Sequence, residues 1–385
     1  MTEWIECKIS DIGTVVGGAT PSTKNADNYD DGKIAWITPK DLSSFKGRYI
    51  ERGERNITEV GLKSCSTQLL PKNTVLFSSR APIGYCCIAA NEVCTNQGFK
   101  SVIPNEHIDP LFLYYLLKYN KDNIEGMGSG TTFKEVSGST MKNIVISVPA
   151  EKKMQERIAS ILGCIDDIIE HNERINNNLE QQAMALFKSW FIDFEPFNNQ
   201  KPNNWTISTL GNISIMSAGG DKPQNVSQTK TNLCQYPIYS NSLSKEGLYG
   251  FTDKPKISEE SVTVSARGTI GYVCLRHIPY VPIVRLITLV PKTEAISAKY
   301  LYLWLKQLHI VGTGTTQQQL TVPGFQKTKI LVPSQEIVTL FTTMVAPLFQ
   351  KIWSNQIENR KLSSLRNMLL PKLMSGELDV SDLDL

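Results

Sequence analysis

The chain has 385 residues, of which 41% are hydrophobic and 20% charged, the balance of a folded globular protein with two or three domains. No stretch reaches the ~18 uncharged apolar residues of a membrane span, and the opening Met1 to Lys8 lacks the basic-then-apolar order of a signal peptide, so a cytoplasmic location is expected. The net charge of +3 is unevenly spread: residues 1–150 balance 16 Lys+Arg against 16 Asp+Glu, whereas residues 196–333 carry 14 against 6. That basic block suits a polyanion partner for the second half of the chain only.

Taken in chain order, β-like segments come first, at Lys33–Thr38 and Thr74–Ala89. A helix-like segment follows at Pro110–Leu117, then the Gly-Thr loop Gly128-Ser-Gly-Thr-Thr132 and a strand over Asn143–Val148. The same order returns with Ser261–Leu275, Ala298–Leu305, Gly312-Thr-Gly-Thr-Thr316 and Thr328–Val332. Val75-Leu-Phe-Ser-Ser-Arg-Ala-Pro-Ile-Gly-Tyr85 matches Val262-Thr-Val-Ser-Ala-Arg-Gly-Thr-Ile-Gly-Tyr272, Ile9-Ser-Asp-Ile-Gly13 matches Ile207-Ser-Thr-Leu-Gly211, and Val148-Pro149 matches Val332-Pro333. The shared order and near-constant offset identify two domain copies. Tyr114, Tyr115, Tyr302 and Trp304 lie at helical spacing and read as core.

A long helical stretch follows each copy. Its seam runs Ile158, Ile161, Ile165, Ile168, Ile175, Leu179, Leu186 in the first, and Val338, Phe341, Val345, Leu348, Ile352, Leu362, Leu365, Leu369 in the second. Asn172 and Asn355 fall at matching places in these seams, either as buried register marks or as solvated edge residues. Gly163 and Pro347 also match, and being poor helix formers they predict a kink or break, leaving long pieces over about Cys164–Phe191 and Pro347–Leu370. Two such helices need each other, and an approximate two-fold relation between the copies pairs them antiparallel, with the domains at opposite ends. The expected architecture is α+β: two mostly-β domains, 1–150 and 197–333, separated by helical regions 151–196 and 334–385 that form an antiparallel coiled coil with a pseudo-two-fold internal repeat.

This arrangement resembles the specificity subunit of type I restriction–modification systems over essentially the whole chain. The resemblance also rests on Ile9–Gly13 with Gly17-Gly-Ala-Thr-Pro21, on Trp36-Ile-Thr-Pro-Lys-Asp41, and on Leu369-Leu-Pro-Lys-Leu-Met-Ser-Gly-Glu-Leu378. It implies that each recognition domain reads one half of a split double-stranded DNA target. It implies that the helices dock two methyltransferase subunits, to which restriction and translocase subunits add. Methylation, ATP use and cleavage then belong to partners, S-adenosylmethionine, ATP and Mg bind there, and this chain is not an enzyme and carries no cofactor or metal.

Candidate DNA contacts are Arg80 and Arg267, which match under the repeat and suit phosphate, a guanine edge or, structurally, loop carbonyls. The Gly-Thr loops contribute Ser129, Thr131, Thr313 and Thr315, whose backbone N–H groups suit phosphate, or else form plain tight turns. Lys134 and the run Gln317, Gln318 and Gln319 follow those loops, and Lys24, Lys40, Lys222, Ser240, Asn241 and Thr269 are further polar candidates. Asn172, Asn355, Ile175, Leu179, Ile352 and Leu362 are the candidates for helix pairing and register. No phosphate loop, methyltransferase motif or His-Glu-x-x-His is present, and the eight cysteines read as buried free thiols. Two rivals stay open: a stand-alone methyltransferase or other DNA-modifying enzyme with unrecognised motifs, and a structural adaptor without a DNA role, against which the basic block argues.

Overall fold

The computed structural model describes residues 3–80, 82–130, 134–292, 296–312 and 319–381. The chain forms two compact units, Met1–Arg174 with Asn355–Leu385, and Ile175–Ser354. Two helices of 40 residues, Lys152–Phe191 and Gln335–Met374, contribute a segment to each unit.

In the first unit the strand Trp4–Lys8 pairs antiparallel with Val145–Pro149, so the first strand of the chain is zipped to the last one before the long helix. A five-stranded sheet follows in the order Gly13–Gly17, Lys100–Pro104, Val75–Phe77, Cys86–Ala89, Tyr49–Ile50. A second sheet orders Arg55–Ile57, Ile34–Ile37 and Cys94–Thr95. The helix Pro110–Tyr119 starts on a proline whose missing N–H costs nothing there, and the Asp109 carboxylate accepts the Phe112 N–H at 2.7 Å. Its apolar run Phe112–Leu117 is buried with Val75, Phe77, Ile88 and Val102 in one core.

The second unit repeats this plan. Thr206–Thr209 pairs antiparallel with Lys329–Val332. A four-stranded sheet orders Ser214–Ala218, Ile287–Pro291, Ser261–Val264, Val273–Arg276, and a three-stranded one orders Leu248–Thr252, Tyr236–Tyr239, Val281–Pro282. The helix Ala298–Gln307 takes the place of Pro110–Tyr119. Tyr114, Tyr115 and Tyr302 are buried core residues, and Trp304 packs partly buried against the same core as Tyr302. The fold is therefore α+β with an internal repeat.

The helix segments within each unit are antiparallel. In the first, Asp166 pairs with Arg366, and Asn172, six residues further on, bonds to Glu358 and Asn359, eight and seven residues back. In the second, Phe187 and Phe191 near the end of one helix pack on Phe341 near the start of the other. The seam is not the strict expected row. Ile168 and Leu365 are 44% and 40% exposed, while Leu162, Ala183 and Phe187 are fully buried. An α-helix drifts ~20° per heptad against a 3.5 repeat, so the buried row slides sideways along helices of this length.

Of the expected kink or break at Gly163 and Pro347, a break does not occur: both helices run through these residues. Gly163 serves a close approach instead, since a Cβ there would lie 3.1 Å from Leu111 and 3.3 Å from the Arg48 guanidinium. Pro347 sits on the exposed face of its helix. The cysteines are all free, but Cys164 is exposed on its helix, and only Cys87, Cys94 and Cys274 are buried.

An exposed proline in a helix interior is a standing cost of up to ~3 kcal/mol relative to alanine. Pro347→Ala should therefore raise the urea midpoint of unfolding by an amount equivalent to about 1–3 kcal/mol. A lowered midpoint would show that the ring is needed for packing.

Candidate nucleic-acid interface

Each unit builds the same turn after its central strand. In the first, the Ser78 N–H donates to the Tyr85 carbonyl at 2.8 Å and the Gly84 N–H to the Ser78 carbonyl at 3.0 Å. In the second, the Ser265 N–H donates to Tyr272 and the Gly271 N–H to Ser265, both at 2.9 Å. Gly84 and Gly271 have φ of +96° and +83°, a region that side chains avoid, so glycine is required at both. The next residue is tied to a distant segment: the Val136 N–H donates to the Ser79 carbonyl and the Leu320 N–H to the Ala266 carbonyl, each at 2.9 Å. Arg80 and Arg267 follow at once. Both matching arginines thus stand at one architectural point, between the turn and the segment after the Gly-Thr loop.

What holds each arginine differs. Arg80 Nε lies 3.0 Å from Glu135 Oε2, and Lys100 Nζ lies 3.5 Å from Glu135 Oε1. Arg267 instead donates through Nε and Nη2 to the side-chain oxygen of Gln319, at 3.1 and 2.9 Å. Glu135 and Gln319 precede Val136 and Leu320, so they are repeat partners. Each arginine is held by a side chain more than fifty residues away, which is why sequence reading missed Glu135 and Gln319 as these partners. Partial burial works against the Glu135 charge, but hydrogen bonds and charge from Arg80 and Lys100 outweigh it and hold the carboxyl below the usual range. Its pairing therefore persists at neutral pH and is lost only on acidification through that lowered value.

Around Arg80 the structure gathers Ser129, which exchanges both backbone hydrogen bonds with Glu135 at 3.0 and 2.9 Å, and Lys134, which is exposed beside it. Around Arg267 it gathers Thr269 in the turn, then Ser240 and Asn241. Asn241 is spent internally: Nδ2 donates to the Val284 carbonyl at 2.6 Å, and Oδ1 accepts the Ala266 N–H at 2.8 Å. Ser240 donates its N–H to the Gly247 carbonyl at 2.8 Å. Lys222 stands 4.8 Å over the Tyr249 ring, Lys24 is exposed in the loop after Pro21, and Lys40 pairs with Glu54 at 2.7 Å. The Asp41 of the Trp36–Asp41 segment is structural: it accepts the Thr38 N–H and hydroxyl at 2.7 and 2.6 Å and the Glu54 N–H at 2.7 Å. Thr131, Thr313, Thr315, Gln317 and Gln318 lie outside the described residues.

On the helices, Asn172 is 6% exposed and donates to Glu358 at 3.0 Å and Asn359 at 2.9 Å, and Asn355 is fully buried. Ile352 is buried, and Ile175, Leu179 and Leu362 are half-buried. Arg48 ties the first recognition domain to its helix, donating to Glu170 and the Gly163 carbonyl at 3.0 and 3.3 Å and pairing with Asp167. Burial opposes its charge, yet the Glu170 and Asp167 bonds outweigh that and hold it more firmly protonated. Tyr115 donates its hydroxyl to Asp166 at 2.7 Å, and Tyr302, one position off in the repeat, donates its own to Glu180. Among the described residues no His, Cys, Asp and Glu cluster could hold a metal, and no helix is long and apolar enough to cross a membrane.

The Arg80–Glu135 pair is half-exposed, so it adds only ~0–1 kcal/mol to stability. Glu135→Gln should leave the melting temperature nearly unchanged while releasing one positive charge. The slope of log affinity against log salt for DNA should steepen by about one ion. An unchanged slope would show that Arg80 and Lys100 do not face DNA.

The family model for the type I restriction modification DNA specificity domain matches the chain twice, at residues 1–181 and 202–364. The chain is 36% identical to the MjaIX specificity subunit of Methanocaldococcus jannaschii over 99% of its own length and 95% of the relative's. It is 24% identical to the HindI specificity subunit of Haemophilus influenzae, over 98% and 100%. Its fold is similar to that of the S subunit of a type I restriction-modification system from M. genitalium, with a TM-score of 0.62 and 19% identity over 99% and 97% of the two chains. The doubled turn, the paired helices and these likenesses place the chain in one family: it belongs to the type I restriction–modification specificity subunits, which do no chemistry and leave methylation and cleavage to other subunits.

Proposed function

We propose that the two recognition domains, residues 1–150 and 197–333, each read one half of a bipartite, asymmetric DNA target. The helical regions 151–196 and 334–385 set the spacing of the halves and dock two methyltransferase subunits. The observation that carries this reading is one arginine-presenting turn built twice in a single chain, with a carboxylate behind Arg80 and an amide behind Arg267. Two unequal readers suit an asymmetric target. Arg80 and Arg267 suit guanine edges or phosphate, and Lys24, Lys40, Lys134 and Lys222 suit phosphate. The backbone around Ser129, Thr131, Thr313 and Thr315 approaches the sugar-phosphate chain, while Gln317 and Gln318 suit adenine. Ser240 and Thr269 lie on the same turn cluster as Arg267, and Asn241 acts there from within. Asn172 and Asn355, with Ile175, Leu179, Ile352 and Leu362, hold the helices in register.

Restriction and translocase subunits join this core. S-adenosylmethionine, ATP and Mg bind those partners, and this chain takes no cofactor. A partner of chromosomal and invading DNA works in the cytoplasm.

Deleting one heptad from both long helices removes ~10 Å at 1.5 Å per residue, or about three base pairs at ~3.4 Å each. Methylome sequencing of cells carrying that variant should report the same two half-sites with a shorter spacer. Changed half-sites with unchanged spacing would refute the division of labour. Arg267→Ala should weaken binding of the assembled methyltransferase by about 1–3 kcal/mol, mainly on DNA with an intact second half-site. Methyl transfer by the purified chain alone would overturn the reading altogether.

A further inference from the structure

The second recognition domain contains a turn that no candidate above includes. Val284 and Arg285 have φ of +52° and +62°, and a β-branched residue in this region is a genuine outlier. Strain of this kind persists only where the surroundings fix it. Here Gly219 and Gly220 do so: the Arg285 N–H donates to the Gly219 carbonyl at 2.8 Å, the Val284 N–H to the Gly220 carbonyl at 2.9 Å, and the Gly219 N–H to Leu286 at 2.8 Å. The approach leaves no room at Gly219, where a Cβ would lie 2.7–2.8 Å from the backbone of Pro282 and Ile283. Asn241 closes the arrangement. Its amide nitrogen binds the Val284 carbonyl, and its oxygen binds the Ala266 N–H, so one side chain joins the residue before Arg285 to the residue before Arg267.

Arg285 is exposed, and among the described residues nothing pairs with its guanidinium. Lys256 is exposed and brings its ammonium to within 3.8 Å of where a Gly220 Cβ would stand, adding positive charge at the same turn. The first domain is built differently at this point: the Ser79 N–H, repeat partner of the Ala266 N–H, donates directly to the Gly98 carbonyl at 2.7 Å, with no side chain between. The strained turn with its side-chain clamp is thus a device of the second domain, the one that carries the basic excess.

We infer that Arg285 is a second DNA-contacting arginine of this domain, and that Asn241 is a positioning residue that sets Arg285 and Arg267 at a fixed separation. This rests on the reading that residues 197–333 bind one half-site. An unpaired cation has no reason to be held on a strained backbone for the domain's own stability, whereas a polyanion needs it at a defined place.

The test uses the full chain assembled with its methyltransferase subunits, and three fluorescent duplexes: the target determined by methylome sequencing, and the same with either half-site scrambled. Wild type should lose affinity when the second half-site is scrambled; if it does not, the half-site reading itself fails, independently of Arg285. Given that control, Arg285→Ala should weaken binding to the intact target at least tenfold, with Arg285→Lys intermediate. Asn241→Ala should weaken it while leaving the melting temperature within a few degrees, and in the Arg285→Ala background it should cost less than it does alone. The salt slope should fall by about one ion in Arg285→Ala. Unchanged affinity and slope in Arg285→Ala would overturn the contact. Equal loss from Asn241→Ala with and without Arg285 would overturn the positioning role.

Discussion

Each recognition domain is held shut by one backbone ladder, the pairing of its first strand with its last. Trp4 lies opposite Pro149, and Thr206 opposite Val332. Entry and exit therefore lie side by side, and the chain leaves the domain straight into a long helix that shares its core. The sheets, the arginine turns and the loops near them all depend on this closure. So does the helix attachment in the first unit, where Arg48 reaches Glu170 and the Gly163 carbonyl from inside the closed domain.

Upon that shared frame the two copies diverge in charge at equivalent atoms. Glu135 takes up two cations, Arg80 and Lys100, whereas Gln319 holds Arg267 without neutralising it. The neutral balance of residues 1–150 and the basic excess of residues 196–333 thus have a local expression at these atoms. A carboxylate fixes an arginine more firmly and weakens its pull on phosphate; an amide fixes it and leaves its charge intact.

Much of this was legible in the sequence. The repeat stood out because its turn needs glycine at one position of positive φ, and Gly84 and Gly271 keep that mark within matching strings. The long helices followed from apolar spacing, and their antiparallel pairing from the approximate two-fold relation between the copies. What stayed hidden depends on partners remote in sequence. Glu135 and Gln319 could not be assigned to their arginines without the fold. Asn241 read as a surface polar group because nothing local reveals that both of its amide atoms are used. Gly163 and Pro347 read as a shared weak point because propensity is blind to environment: one glycine makes room for Arg48 and Leu111, and one proline sits on the exposed face of its helix.

The closing ladder also sets a timetable. The strand Trp4–Lys8 finds its partner only after about 140 further residues are made, and Thr206–Thr209 only after about 120. At ~5–20 residues per second of synthesis, each opening strand waits roughly 6–30 s with its backbone unpaired. Ile5 and Ile207 stay 43% and 68% exposed even after closure. During translation these two short strands are thus the places where a nascent chain is most open to pairing with a neighbour on the same messenger.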